Sequence, residues 1–166
     1  MSVGTVRDIK SVKANIISPA ISAFETVPGG PYAEPLRCEQ YEFSAAASHQ
    51  INNALCDSYI YVLDGVGAVE INRKKSDISE GSAILTYAGE DLVISTSSKI
   101  SFLVIEVPSP ITPWGNALAK PIDMAKRVII TKLGATNKES ASSDREYETL
   151  FNENNGSRGA TMFVGF

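Results

Sequence analysis

The most restrictive feature of this sequence is a series of short apolar, β-branched segments between residues 38 and 107, with turn signals between them. The segments recur about every eight to twelve residues, and apolar and polar residues tend to alternate within them. Such spacing is typical of an all-β sandwich or barrel, and the lack of a longer helical pattern disfavours a parallel α/β sheet. The alternation predicts strands over residues 38–45, 58–65, 66–73, 74–81, 82–89, 90–98 and 99–107.

The segments on either side of this series suggest how the chain is divided. Residues 1–35 show little periodicity and include a stretch rich in proline and glycine, so they are predicted to form an N-terminal arm of loops. The β-barrel is placed at residues 36–133, ending in a short helical turn and one more strand. Residues 134–153 are polar and rich in serine, which is typical of a linker. Residues 154–166 turn apolar again and are predicted to form a C-terminal strand.

Glycine marks the turns inside the barrel region. Asp64 and Gly65 stand between two apolar runs and predict a β-hairpin or a tight corner, whereas residues 48–57 are irregular and polar. Gly81 and Gly89 delimit the strands that follow. A barrel corner needs either a positive φ or a close approach of two backbones, and glycine allows both.

With the apolar strands around them, Gly65, Gly81 and Gly89 have a spacing that resembles the two sequence motifs of the cupin superfamily. The resemblance implies a double-stranded β-helix, or jelly-roll barrel, with short irregular or helical flanks. It also implies a homodimer, because members of that superfamily commonly cover their barrel edges by dimerising. Residues 154–166 resemble the first strand of a second such barrel, which would make this chain the N-terminal half of a bicupin. Alternatively, they complete this barrel or cross to a partner subunit.

The metal ligands of those motifs are replaced in this sequence. Counting back from Gly65, the glutamate of the first motif falls on Ser58, and the histidine of the second motif falls on Leu92. Neither side chain is a suitable ligand for a transition metal, so no metal site and no cofactor are predicted. The two histidines of the first motif fall on Asn52 and Ala54, or on Ile51 and Asn53.

Composition and charge disfavour several other functions. Hydrophobic residues make up 43% of the chain and charged residues 20%, which is typical of one globular domain. Lys and Arg number 15 against 19 Asp and Glu, and the net charge of −4 disfavours binding to nucleic acid or anionic lipid. One histidine, His49, and two cysteines cannot supply a zinc ribbon. Because neither a secretory signal nor an apolar run of membrane-spanning length is recognisable, a cytoplasmic protein without a membrane partner is expected.

Two functions of different classes fit these observations, and whether the chain is an enzyme stays open. The first is a metal-free barrel that acts as a structural, dimerising or small-molecule-binding domain. The second is a metal-independent isomerase, epimerase or lyase acting on a sugar or small carboxylate, with His49 and a tyrosine as acid and base. Tyr87 is the candidate tyrosine, and Asp57 or Glu90 is the predicted carboxylate partner of His49. A metal-dependent dioxygenase is disfavoured by the replaced ligands.

Strand alternation indicates which side chains face the interior. Ser58, Ile60 and Val62 share one face of their strand, and Tyr59 and Tyr61 share the other. The inner face is predicted to form either a packed core or a pocket for an apolar ligand. The candidate pocket residues are Asn52, Asn53, Ser58, Ile60, Val62, Leu92 and Ile94.

Cysteine and tryptophan complete the set of candidates. Cys38 and Cys56 are predicted to be reduced thiols, since disulfides are rare inside cells. Trp114 lies in a proline-rich segment and is either an exposed interface anchor or a plug over the end of the barrel.

Overall fold

The computed structural model describes residues 8–27 and 36–166, and within them the chain forms thirteen β-strands and one short α-helix. The helix α1 spans Pro113–Leu118, and single turns of 3-10 helix lie at Ile9–Ser11, Met124–Lys126 and Glu153–Asn155. The all-β class predicted from the sequence is confirmed. The strands are β1 (Asn15–Ser18), β2 (Ile21–Val27), β3 (Arg37–Phe43), β4 (Ala47–Ile51), β5 (Cys56–Ile71), β6 (Lys74–Ser79), β7 (Ser82–Thr86), β8 (Leu92–Thr96), β9 (Ile100–Pro108), β10 (Ile130–Lys132), β11 (Glu139–Ser142), β12 (Arg145–Phe151) and β13 (Met162–Gly165).

Ten of these strands form a curled antiparallel sheet that encloses one core. The main path runs β1-β2-β3-β9-β5-β7-β10, and β6, β8 and β4 continue the sheet from the second half of β5. The first half of β5 pairs with β9 and β7, whereas its second half, from Val66 to Ile71, pairs with β6 and β8. Because one strand contributes to both layers, the layers close into the jelly-roll barrel that the sequence predicted.

Gly65 is the point at which β5 passes from one layer to the other. Its φ is +90°, and a Cβ atom there would lie 2.3 Å from the carbonyl oxygen of Lys99, so the backbone accepts only glycine. A register shift between Val62 and Asp64 in the pairing with β9 marks a bulge at the same place. Of the hairpin and the tight corner that the sequence allowed at Asp64 and Gly65, the structure has the corner, because the chain continues through this bend as one strand.

The interior of the barrel is filled by aliphatic and aromatic side chains. Ile60 and Ile94 have no exposed surface. The ring of Phe102 lies 5.4 Å from the rings of both Tyr41 and Phe43, measured between centroids. The other buried members of this core cluster are Ile21, Ala23, Ile51, Val62, Val69, Ile71, Ile78, Ile84, Leu92, Ile100 and Val104.

A second, three-stranded sheet of β11, β12 and β13 covers the outer face of the barrel beside β5. Leu150 and Phe151 of β12 are buried there, and the ring of Phe151 meets that of Tyr59 edge to face at 6.4 Å. The segment 134–153, expected to be a linker, thus contains two strands. β13 pairs with β12 and belongs to neither layer of the barrel, so it does not complete the barrel. That residues 154–166 open a second barrel stays a prediction.

Strands also occupy two segments for which no strand was predicted. β1 and β2 lie within the predicted arm 1–35 and extend the barrel sheet beyond β3. Residues 1–7 and 28–35 of that predicted arm lie outside the described residues. β4 occupies part of the polar segment 48–57 and pairs with β8, because a half-exposed strand at a sheet edge can carry polar residues. None of the helices in the described segments is long and apolar enough to cross a membrane.

Candidate functional site

Polar side chains form a row across the inner face of the barrel, at one end of its core. Arg37 on β3 lies opposite Glu106 on β9. Glu106 in turn lies opposite Ser58 on β5, and Ser58 lies opposite Thr86 on β7. These four residues, the polar row, face the same way as Ile60, which follows Ser58 by two positions and belongs to the core. The barrel interior is therefore apolar along most of its length and polar at this end.

Two hydroxyl groups of the polar row are shielded from solvent. Ser58 is 4% exposed and Thr86 is 3% exposed. A hydroxyl can both donate and accept a hydrogen bond, so the pair offers directional contacts at the end of the apolar core. Arg37 is about half exposed, which leaves the row in contact with solvent at its β3 end.

Carboxylates outnumber cations at this end of the barrel. Glu25 on β2 lies opposite Glu39 on β3, and both contact Arg37. The Arg37 Nε atom is 3.7 Å from Glu25 Oε1, and its Nη2 atom is 2.7 Å from Glu39 Oε1. Glu106 is a third carboxylate, close enough for its charge to add to burial in raising the pKa of the Tyr41 phenol. One guanidinium among three carboxylates leaves a net negative charge here.

His49 and Tyr41 lie side by side next to these carboxylates. Their ring centroids are 5.5 Å apart, and the Tyr41 hydroxyl donates to Glu39 Oε2 at 3.1 Å. Burial lowers the pKa of His49, and the charge of Glu39 opposes that effect only in part. The pKa of Tyr41 is raised, mainly by burial and secondly by the charge of Glu39. At neutral pH the site therefore holds a neutral imidazole beside a protonated phenol, which is a base next to an acid.

The carboxylates predicted to partner His49 are engaged elsewhere. Asp57 accepts from Arg158, with Nε and Oδ2 2.9 Å apart. Glu90 accepts from both terminal nitrogens of Arg127, at 2.6 and 2.8 Å. Asp57 points outward because its neighbours along β5 face the core. The prediction that either carboxylate orients His49 is therefore wrong.

Tyr87, the other catalytic candidate, packs on the outside of the barrel. The guanidinium groups of Arg127 and Arg158 lie over its ring, 3.6 and 3.8 Å from the centroid. Its hydroxyl donates to the carbonyl oxygen of Gly156 at 2.7 Å. Burial raises the pKa of Tyr87, and the two guanidinium charges oppose the increase. These contacts tie the barrel to the C-terminal segment, and they do not bring Tyr87 to His49.

Of the two asparagine candidates, Asn52 contacts the turn before β8 and Asn53 contacts its own loop. Asn52 is exposed, and its side-chain nitrogen is 3.4 Å from Asp91 Oδ1. The Asn53 side chain accepts from the backbone N–H groups of Leu55 and Cys56 at 2.9 and 3.0 Å. This is the geometry of an Asx turn, which stabilises the start of β5.

The aliphatic pocket candidates belong to the packed core. Each is at most 1% exposed, so no side-chain surface is offered to solvent in this structure. Their role in ligand binding stays a prediction, as does that of the asparagines, and Ser58 is the predicted pocket residue that the polar row includes. The four aliphatic candidates are Ile60, Val62, Leu92 and Ile94.

The site does not fit the transition metal that the cupin motifs would hold. Leu92 has no donor atom, and Ser58 offers a neutral hydroxyl in place of a carboxylate. Among the residues that the structure describes, no three His, Cys, Asp or Glu side chains come together as a metal site. Cys38 and Cys56 are free, and burial raises the pKa of both thiols, so neither is a thiolate at neutral pH.

Trp114 lies on α1 and is 57% exposed. This exposure contradicts the plug that was one of its two predicted roles. The role of interface anchor stays a prediction.

Most residues of this polar end were not singled out from the sequence. A signal was present, since Arg37, Glu39 and Tyr41 alternate along β3 and so share a face. Polar residues alternate equally on the opposite face of β3, where Gln40 and Glu42 lie hydrogen-bonded to each other. Only the packing of the barrel layers distinguishes the inner face from the outer one.

Solved structures with the same architecture come from several kinds of protein. The polyketide cyclase RemF from Streptomyces resistomycificus has a TM-score of 0.56 and 20% identity, over 64% of this chain and 80% of that one. A predicted oxalate decarboxylase from Thermotoga maritima has a TM-score of 0.58 and 16% identity, over 63% of this chain and 100% of that one. An RmlC-like cupin from Shewanella frigidimarina has a TM-score of 0.56 and 10% identity, over 64% of this chain and 93% of that one.

No family model matches the sequence, and no curated protein matches it. The structural neighbours nevertheless define the architecture, and the chain has the cupin, RmlC-like jelly-roll fold that the glycine spacing predicted. At these identities the likeness concerns the fold, and the neighbours differ in what they do.

Proposed function

We propose that the chain is a metal-free cupin barrel that binds a small molecule at its polar end. The observation that carries the proposal is the polar row, in which the buried hydroxyls of Ser58 and Thr86 and the carboxylate of Glu106 lie at one end of an apolar core. Ligand sites commonly combine an apolar wall with a few polar groups that fix orientation. Ser58 also stands where the cupin motif would place a metal ligand, so the ligand takes the position that the metal occupies in that motif.

The charge of the site favours a ligand with a positively charged amine. Glu25 and Glu39 both contact Arg37, which leaves Glu106 as the carboxylate that a ligand can neutralise. A charge-assisted hydrogen bond from an ammonium group to a half-buried carboxylate is stronger than one between neutral groups. A ligand carboxylate would add a fourth negative charge and is disfavoured.

Binding of aliphatic amines, neutral sugars and small carboxylic acids by calorimetry tests this proposal. The amines are expected to bind, and Glu106→Gln is expected to raise their dissociation constants at least about tenfold. The matched control is Glu42→Gln, because Glu42 lies on the outer face of β3 and should leave binding unchanged. The proposal fails if no compound binds, or if Glu106→Gln and Glu42→Gln bind the amines equally well.

A second candidate function is supported by the contact between His49 and Tyr41. A neutral imidazole can take a proton from a substrate carbon, the phenol beside it can return one to the substrate, and the imidazolium then reprotonates the phenolate. This is the acid–base chemistry of a metal-independent isomerase, epimerase or lyase, and it assigns the tyrosine role to Tyr41 instead of Tyr87. One of the structural neighbours is a cyclase and another a predicted decarboxylase.

The enzymatic function is tested by incubating sugars and small carboxylic acids with the protein in D₂O. An isomerase or epimerase introduces deuterium at the reacting carbon, which NMR detects directly. Exchange is expected to disappear in His49→Gln and to persist in Gln50→Ala, since Gln50 is the exposed neighbour of His49 on β4. If no substrate exchanges, or if His49→Gln exchanges as fast as the native chain, the barrel is a binding domain without this chemistry.

A further inference from the structure

An apolar groove runs along the outside of the barrel, away from the polar row. Its volume is about 310 Å³. One wall consists of Leu36, which precedes β3, and of side chains from β5 and β9, including Leu103 and Ile105. The other wall is β13 with the residues just before it. Leu36 is 41% exposed, so the groove presents apolar surface to solvent.

The edge of β13 that borders this groove is an unpaired strand edge. In the described residues β13 pairs with β12 alone, so the backbone groups along its other side have no sheet partner. Met162 and Val164 pack inward, and Phe163 on the opposite side is 59% exposed. A flat apolar edge of this kind is a template for another strand.

Two other strand edges, those of β6 and β11, carry features that oppose strand addition. β6 has Lys74, Lys75 and Asp77 along its length. β11, at the opposite edge of the same three-stranded sheet, is fully exposed and begins at Glu139. β13 carries neither a charged residue nor a proline, so it lacks the residues that normally protect an edge.

We infer that this edge and groove form an interface with a second copy of the chain, in which β13 pairs antiparallel with β13 of that copy. An antiparallel pair of identical strands is related by a two-fold axis, so each copy presents the same surface to the other. Because β13 is uncharged, the pairing brings no like charges together, although each chain has a net charge of −4. The two three-stranded sheets join into one of six strands, and the exposed Phe163 and Leu36 of each copy are covered.

This interface goes beyond ligand binding at the polar end and differs from the dimer through barrel edges that the cupin resemblance implies. It uses the edge of the added C-terminal sheet. The two arrangements make different predictions for substitutions on β13 and on β1, whose Ile16 is 65% exposed at the barrel edge.

Sedimentation of the full chain tests the inference. At about 100 μM, well above a micromolar dissociation constant, a particle of twice 17.8 kDa is expected. Phe163→Lys places a charge on the edge and is expected to raise the dissociation constant at least about tenfold. The matched control, Ile111→Lys, changes another exposed apolar residue and should leave the dimer intact.

Three results would overturn the inference: a native chain that stays monomeric, a dimer that survives Phe163→Lys, or a dimer lost in Ile16→Lys but not in Phe163→Lys. Hydrogen exchange of the native chain at two concentrations provides a test without any substitution. Amides of β13 are expected to exchange more slowly at the higher concentration. Dimerisation with unchanged β13 exchange would place the interface elsewhere.

Discussion

At the scale of single residues, the buried ion pair between Asp57 and Arg158 is the sharpest test of what holds the C-terminal segment to the barrel. Asp57 is 2% exposed and also accepts from the N–H of Ala88 at 3.0 Å. Arg158→Ala leaves this carboxylate buried without its cation, so we expect the free energy of unfolding to fall by about 3–5 kcal/mol. Urea denaturation followed by fluorescence measures the change.

The matched control for Arg158 is Lys120→Ala, because Lys120 pairs with Glu153 at the exposed surface. Exposed ion pairs contribute little, so its unfolding curve should coincide with that of the native chain. Equal effects of the two substitutions would mean that the Asp57–Arg158 pair is not a buried anchor.

His49 should make stability depend on pH in the mildly acidic range. Burial lowers its pKa from the ordinary 6.5, so the unfolded chain binds a proton at a higher pH than the folded chain. Stability is therefore complete above pH 6.5 and declines as the pH falls toward the lower pKa of the folded state. His49→Gln removes the titrating group, and its stability should change less than that of the native chain between pH 7 and about 5.

Urea denaturation across this pH range gives the difference in free energy of unfolding between the two proteins. The titration of all other groups cancels in that difference. Equal pH dependence in both proteins would contradict the burial of His49. A native chain that gains stability relative to His49→Gln on acidification would indicate a raised pKa of His49 and a dominant role for Glu39.

The sequence predicted inner and outer residues correctly where a strand is strongly apolar. On β5, alternation placed Ile60 in the core and Tyr59 on the opposite face, as found. It did not identify Glu39 or Glu106 as site residues, because a polar residue near a strand end is compatible with either face. The contact of Tyr41 with His49 joins β3 to β4, and no local pattern predicts which strands become neighbours.

At the scale of elements, the bend in β5 depends on Gly65. Gly65→Ala would introduce strain at φ +90° and a Cβ atom 2.3 Å from the Lys99 carbonyl oxygen. We expect the free energy of unfolding to fall by about 3 kcal/mol or more, because the backbone cannot move aside as a flexible side chain does. The midpoint of urea denaturation, with the slope held to its native value, measures this loss.

Gly89→Ala separates strain from steric overlap in that experiment. Gly89 has a similar φ of +81°, but an added Cβ would have no neighbour within 4 Å. Its replacement should cost only the conformational strain, about 1–2 kcal/mol. Equal losses at both glycines would mean that contact with β9 does not fix the bend.

The same bend explains why the sequence left a hairpin and a tight corner as alternatives there. Asp-Gly between two apolar runs is a strong signal for a two-residue turn, and that signal concerns only local conformation. The chain uses the positive φ of Gly65 to redirect one long strand instead of reversing it. Which of the two occurs depends on β6, β8 and β9, which supply partners on both sides of the bend.

At the scale of the whole molecule, the barrel was predictable because its strands carry their signal in short regular runs. The C-terminal sheet was not, because β11 is fully exposed and polar, and a serine-rich sequence is typical of a linker. Its stability comes from contacts distant in sequence, such as Tyr59 with Phe151. Such contacts also decide whether the sheet is an appendage or part of one folding unit.

We expect the barrel and the C-terminal sheet to unfold together. Phe151 has no exposed surface and lies in one cluster with Tyr59 and Leu85 of the barrel, so its side chain belongs to both units. Phe151→Ala should lower the free energy of unfolding by about 3–5 kcal/mol through the cavity it leaves. Because the cluster is shared, native-state hydrogen exchange should show that the amides of Leu85 and Leu150 lose protection against exchange to the same extent.

Phe163→Ala is the matched control for Phe151→Ala, since Phe163 lies on the same sheet but is 59% exposed. This control should leave the exchange rates of both amides nearly unchanged. If Phe151→Ala accelerates exchange at Leu150 and leaves Leu85 protected, the C-terminal sheet opens separately from the barrel. The ion pair between Asp57 and Arg158 would then hold it as a detachable cover. If both amides respond equally, the sheet is a structural layer of the barrel and its apolar edge is fixed in space.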